Sequence, residues 1–353
     1  MENEQARRVE LTLTIDGHDA AGAVAPYLKE FTFTDNVHGK ADEVRLVLHN
    51  RDGKWSGPWK LSKGMPVNVS IVCHDWEGPG KDLSLPCGSF RIDEVELSGP
   101  PDTVNIKAVS SELTAKLRDT EKTRAWENSS LGGVAGQVAG ENGLSLVYSG
   151  NDHAFKRQDQ RKESDLAFIY RMADERGMNC KVHDGKLILV DAERAEAQGS
   201  CMTLPKAGSQ YSPKSYSFKE ASSGTGYTDA ETAYTDPSTG TTHTATAQAT
   251  TVSEGQKTLT YQAREESSGE AMRASRAQLH KANAKEKTAS VECMGCPRLV
   301  AGRTVELTGF GDFGGKYFIK TATHSLGGSQ GYKTALELAK GAGTSGTGAG
   351  DVI

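Results

Sequence analysis

Residues 306–325 read ELTGFGDFGGKYFIKTATHS, and Gly309, Gly311 and Gly314 within them match the G-x-G-x-x-G pattern of a phosphate-cradling loop. Such a loop holds a pyrophosphate only between a strand and a following helix, because amides at the helix N-terminus supply the donors. Upstream, residues 304–307 read as a strand. Downstream, residues 316–320 are aromatic and β-branched and carry no helix-starting residue, so they read as a second strand. A glycine-rich connection between two strands is a hairpin, with Gly309, Gly311, Gly314 and Gly315 as structural turn glycines that accept positive φ without steric cost. No cofactor is expected there.

Working outward, the same β character recurs. RVELTLTIDG alternates Val9, Leu11, Leu13 and Ile15 against polar residues and turns at Asp16-Gly17. Further strands follow around 31–34 and 44–48, in GMPVNVSIVCHDW, GSFRIDEVELSG and DTVNIKAVSSEL. Strands at this spacing over residues 7–115 indicate a sandwich or barrel. The pattern changes near residue 120. Ser130 caps a short helix that places Val134 and Val138 on one face and stops at Asn142-Gly143, before another strand. Ser164 caps a second helix, with Leu166, Ile169, Tyr170 and Ala173 at helical spacing and Gly177 at its end. Two strands then flank Asp184-Gly185, a favoured two-residue turn.

After Gln198 the chain returns to strands. A Thr-rich hairpin at 226–247 turns at 236–240; it has few apolar anchors and is expected to project toward a neighbour. A helix over 268–287 sets Met272 and Leu279 one heptad apart among alanines. Its cations, Arg273, Arg276, Lys281, Lys285 and Lys287, either form a solvated face or touch an acidic partner or nucleic acid. Aromatic interleaving of the kind that single-strand binding uses is missing. Residues 341–353 read as a flexible Gly/Ser/Thr tail.

The 353 residues suffice for two or three domains. A formal net charge of −5 gives no general attraction to nucleic acid or anionic lipid. No run approaches about 18 apolar residues, so no transmembrane helix or membrane partner is expected. The N-terminal MENEQARRVELTL lacks a signal-peptide core, which points to synthesis in the cytoplasm. Of six cysteines only Cys293 and Cys296 have ligand-like spacing, and no second pair or histidine set completes a metal site. No H-E-x-x-H pair or Walker loop is present. Asp93 and Glu94, neighbours on a strand, are expected to face opposite sides and so cannot pair as acid and base. No surface-aromatic cluster is discernible. No catalytic, cofactor or metal residue is therefore assigned, and the chain reads as a non-enzyme of β-rich α+β class.

Residues 273–338 then carry a family resemblance. A helix with repeated alanines precedes a strand, Pro297, Leu299, Ala301-Gly302, Gly309, Gly315, Tyr317, Ile319, His324 and a closing Gly331-Tyr332-Lys333-Thr334. This order, together with ESDLAFIYRMADERGMNCKVHDGKLIL at 163–189, resembles the phage late control gene D family of baseplate hub proteins. Residues 1–115 match it only in general strand pattern, and Cys296 stands where that family commonly has glycine. The resemblance implies two tail-tube-like β-barrel domains, at 1–118 and 199–340, with a small α/β domain at 119–198 between them. It also implies a homotrimeric ring, similar to the hub part of type VI secretion spikes, that adapts a sixfold tail tube to a threefold spike. Its partners would be the tail tube or tube initiator, a separate central spike and the baseplate wedges, with no specific nucleic acid, in the virion tail baseplate. The alternatives are a stand-alone cell-wall hydrolase or late regulatory factor on the same fold, or a β-rich host-surface adhesin.

Overall fold

Alternation becomes burial in the first strand: Leu13 and Ile15 are buried, Val9 and Leu11 pack against the same core, and the residues between face outward. The computed structural model describes residues 6–110, 115–152, 154–235, 240, 242–250, 257–261, 268–327, 331–341 and 344–345. The N-terminal third contains β1 (Arg8–Ile15), β2 (His18–Asp19), α1 (Ala21–Val24), β3 (Leu28–Asn36), β4 (Glu43–His49), β5 (Pro66–His74), β6 (Leu83–Ser98) and β7 (Thr103–Ser110). The middle contains α2 (Ala115–Arg118), β8 (Glu121–Ser130), α3 (Leu131–Glu141), β9 (Ser145–Ser149), β10 (Ala154–Ser164), α4 (Asp165–Glu175), β11 (Met178–His183), β12 (Lys186–Asp191) and α5 (Ala192–Ala197). The C-terminal part contains β13 (Thr203–Pro205), β14 (Ser215–Glu220), β15 (Asp229–Thr235), β16 (Thr242–Ala249), β17 (Thr258–Tyr261), α6 (Ser268–Asn283), β18 (Lys287–Met294), β19 (Thr304–Thr308), β20 (Gly315–Gly327), β21 (Tyr332–Ala339) and β22 (Thr344–Ser345).

Thirteen strands form one sheet in the order β14-β18-β21-β20-β3-β4-β7-β6-β5-β1-β2, with β19 on β20 and β13 on β19. The N- and C-terminal strand sets join where β3 pairs antiparallel with β20, Phe33 opposite His324. One hydrophobic core runs from Leu13 and Phe31 to Tyr317 and Leu338 across both sets. At Asp93 a β-bulge interrupts the β6–β7 register, so Asp93 and Glu94 are both exposed instead of facing opposite sides.

The middle module has a separate core of Trp126, Leu131, Phe168, Ile169, Met172, Leu187 and neighbours. Ser130 and Ser164 cap α3 and α4 by accepting from the amides of Gly133 and Ala167. Asp184 and Gly185 both have positive φ, 50° and 69°, which joins β11 to β12 in a tight turn. The sequence pattern marks no strand at β8 or β10, which pair antiparallel beneath the helices. Their polar stretches EKTRAWENSS and AFKRQDQRKES hide the pattern, because one face is solvated and rich in charge.

The Thr-rich hairpin forms as β15 and β16, joined by β17 and β22. Its turn at 236–239 lies outside the described residues. It does not stand free: α6 covers one face, burying Ala230, Ala247 and Leu279 with Met272 alongside. The helix ends at Asn283, and Lys287 already begins β18. Of the tail, Thr344–Ser345 pair with Gln248 and Ala249 of β16; residues 342–343 and 346–353 lie outside the described residues.

Candidate functional site

The glycine-rich stretch connects β19 to β20 as an antiparallel hairpin, with Leu307 opposite Gly315. Gly309, Gly311 and Gly315 have φ of +82°, +59° and +112°, where a side chain is strained. Gly314 is extended, but a Cβ there would lie 3.1 Å from the carbonyl oxygens of both Gly311 and Leu307. The tight path turns Phe310 and Phe313 toward β14. Phe218 lies 5.1 Å from Phe310 and 5.4 Å from Phe313, and Tyr216 meets Phe310 edge-on at 5.1 Å. Tyr216 is 47% and Phe313 37% exposed.

These rings gather on an edge strand. Among the described strands β14 pairs only with β18, so its outer backbone groups are open. An aromatic patch beside an open ladder has the two elements of strand-addition docking: backbone hydrogen bonds for affinity and side-chain contacts for specificity. The expectation of no surface-aromatic cluster is thus overturned. The sequence holds its members in two stretches far apart, 216–218 and 310–317, which nothing local brings together.

A second constellation clamps the module to the sheet. Lys181 of β11 donates to Asp35 at 2.6 Å and lies 3.1 Å from Asp42, while His183 Nδ1 lies 3.0 Å from Asp42. The remaining carboxylate oxygens accept backbone amides, Asp35 from Ala301 and Asp42 from Asn36. Burial disfavours all three charges. Even so, the His183 hydrogen bond and Lys181 hold Asp42 below the usual carboxylate range, and the two aspartates hold Lys181 above the usual lysine value. For Asp35 burial wins over Lys181 and raises its pKa. Both carboxylates are occupied by structural donors, so the network fixes position.

Beside the seam, His324 is fully buried. Its Nε2 lies 3.0 Å from the Leu299 carbonyl and its Nδ1 2.8 Å from the Tyr332 hydroxyl. Nε2–H therefore donates and Nδ1 accepts, the neutral tautomer, and burial lowers its pKa to about 4. Cys293 and Cys296 lie in the core nearby, with burial pushing Cys293 up to about 12. Among the described residues no group of three or more His, Cys, Asp or Glu side chains is placed to hold a metal ion.

A sheet of this order with an inserted α/β module is the fold of phage tail proteins. The crystal structure of a 43 kDa tail protein of prophage MuSo2 from Shewanella oneidensis superposes with a TM-score of 0.68 at 14% identity, covering 94% of this chain and 98% of that one. An Escherichia coli type VI secretion component, described as structurally similar to the T4 tail proteins gp27 and gp5, gives a TM-score of 0.54 at 9% identity, covering 95% and 76%. The sequence goes further than the fold. The model of the phage tail baseplate hub (GPD) family matches residues 109–330, and the chain belongs to that family. It is 31% identical over 185 residues to the probable baseplate hub protein of Escherichia phage P2, covering 51% of this chain and 44% of that relative. The chain thus matches less than half the length of that relative.

Proposed function

We propose that this chain is a structural baseplate hub whose copies assemble as a trimeric ring between a sixfold tail tube and a threefold spike. The observation that carries the reading is an open, aromatic-bearing edge strand on a long, largely antiparallel sheet, in a chain of the baseplate hub family. An edge of this kind is an aggregation hazard on a monomer and a ready interface in an assembly. In this reading the N- and C-terminal strand sets are the two tube-like barrels, 1–118 and 199–340, and the module at 119–198 bridges them. Gly309, Gly311, Gly314 and Gly315 shape the loop that presents Phe310 and Phe313. The tube or tube initiator, central spike and baseplate wedges are the partners, and the virion tail baseplate is the location, after synthesis in the host cytoplasm. A role in assembly, without catalysis, accords with the family.

Native mass spectrometry and negative-stain imaging of the purified chain, alone and mixed with the tube and spike proteins of the same particle, test the proposal. Trimers and rings are expected, at least in the mixtures. A chain that stays monomeric in every mixture overturns it.

A further inference from the structure

Helix α6 does not lie flush on the main sheet. A cleft of ≈ 810 Å³ separates it from β14, β18, β20 and β21 and from the turn after β3. Its polar lining is mostly donors. Lys320 enters from β20, half-buried, and burial without a paired carboxylate lowers its pKa below the ordinary lysine value. Lys40, Lys219 and Lys285 stand exposed around it. Among the described residues none of these four ammonium groups has an ion-pair or hydrogen-bond partner, whereas Lys281 of α6 is bridged by Asp174. The side-chain amide nitrogen of Asn179, buried in the wall, also lacks an acceptor. Against them, among the described residues, the cleft offers one unbridged carboxylate, Glu337, since Asp174 is engaged by Lys281.

Unmatched buried donors cost free energy that an acceptor-bearing occupant recovers. The walls narrow the class of occupant. Ala277, Ala284, Ala289 and Leu338 are small or aliphatic and admit a close backbone. Among the described residues the lining has no arginine to fork onto phosphates and no Phe, Tyr or Trp ring for bases to stack on. Lysine point charges over an alanine floor suit single carboxylates on a thin chain.

We propose that this cleft is a docking site for an acidic, otherwise small-residue peptide segment of another protein. Its carboxylates sit on Lys320 and Lys285, and a backbone carbonyl accepts from Asn179.

Fluorescence anisotropy of the full chain with a labelled octapeptide of alternating Glu and Ala tests this, with the Gln/Ala peptide and an eight-nucleotide oligo-dT as controls. The Glu peptide is expected to bind saturably, at least tenfold tighter than the Gln peptide, and to protect Lys320 from acetylation read by mass spectrometry. Lys320→Met is expected to weaken it at least tenfold. Lys285→Glu, at an exposed position where folding is not at risk, is expected to do the same with an unchanged melting temperature. Absent saturable binding, or equal affinity of the Glu and Gln peptides, overturns the proposal. So does tighter binding of the oligonucleotide, which makes the cleft a nucleic-acid site. A Lys285→Glu effect confined to the chain's own oligomeric state assigns the cleft to a second copy and likewise overturns it.

Discussion

The module and the α6 unit both pack helix on sheet, yet they are held by different forces. In the module, Phe168 stacks on Trp126 at 6.2 Å and 8°, surrounded by Leu131, Ile169, Met172 and Leu189, all fully buried. In the α6 unit Leu279 is the one large buried apolar group among the described residues; the rest are alanines, Ala230, Ala245, Ala247, Ala271, Ala274 and Ala277. Alanine allows close approach but removes little area from water, and burial scales with area. Polar stitches make up part of the difference. Asn283 exchanges two hydrogen bonds with the Tyr227 backbone, Arg276 bridges Glu193 of α5, and Lys281 bridges Asp174 of α4. The cations of α6 thus partly face the module, and the helix depends on its neighbours in a way that α4 does not. A thickly packed unit resists solvent by itself; a thin one takes its position from what surrounds it.

The strongest way to break this comparison is Phe168→Ala. The ring is fully buried, so the change should cost about 3–5 kcal/mol and be read as an early module transition in guanidinium unfolding. A loss under about 1 kcal/mol would mean that the module core is far looser than its packing indicates.

A pH series separates the main sheet from both appendages. His324 is neutral when folded, with a pKa near 4 against 6.5 in the unfolded chain. The unfolded state therefore binds the extra proton between those values, so stability is intact above about pH 6.5 and falls as pH drops toward 4. The lost stability is about 3 kcal/mol by the linkage slope of 1.36 kcal/mol per unit. Unfolding measured from pH 7 to 4.5, with the His324 ring followed by NMR, should show the decline while the ring stays neutral. A ring that titrates near 6.5 in the folded protein rejects it.

What could be read in advance follows the range of the interaction. Caps at Ser130 and Ser164, the Asp184-Gly185 turn and the Met272–Leu279 spacing are local, and each is visible within a few residues. The β19–β20 hairpin was legible for the same reason, because residues on both sides of the glycines announce strands. Pairing of β3 with β20, the aromatic patch and the Asp35–Lys181–Asp42 clamp join residues from distant parts of the chain. Single-sequence periodicity holds no record of such partners. Cys293-Met-Gly-Cys296 stands out in the sequence for its sulfurs, yet the glycine is the constrained position: a Cβ on Gly295 would overlap the Tyr332 ring. Close approach of backbone to an aromatic face leaves no trace in spacing.

The thin unit gives a smaller expected effect. Leu279→Ala should cost about 2 kcal/mol, the low end for a buried leucine, because a cavity beside alanines at a sheet edge collapses easily. Hydrogen exchange should quicken across β15, β16 and α6 and stay unchanged in α4. Equal loosening of α4 would show that the Arg276–Glu193 and Lys281–Asp174 bridges couple the two units into one cooperative block.

The smallest expected change in stability comes with the largest change in assembly. Tyr216→Ser and Phe313→Ser remove exposed rings, so each should shift folding stability by no more than about 0.5 kcal/mol. If β14 is an interface edge, the same rings become buried between chains, where aromatic truncations commonly cost 2 kcal/mol or more of binding, about a thirtyfold loss. Denaturation midpoints should therefore stay in place while oligomers dissociate at concentrations that keep the wild type assembled. Intact oligomers in the double variant would move the interface away from β14 and leave the aromatic patch a local cover for the edge.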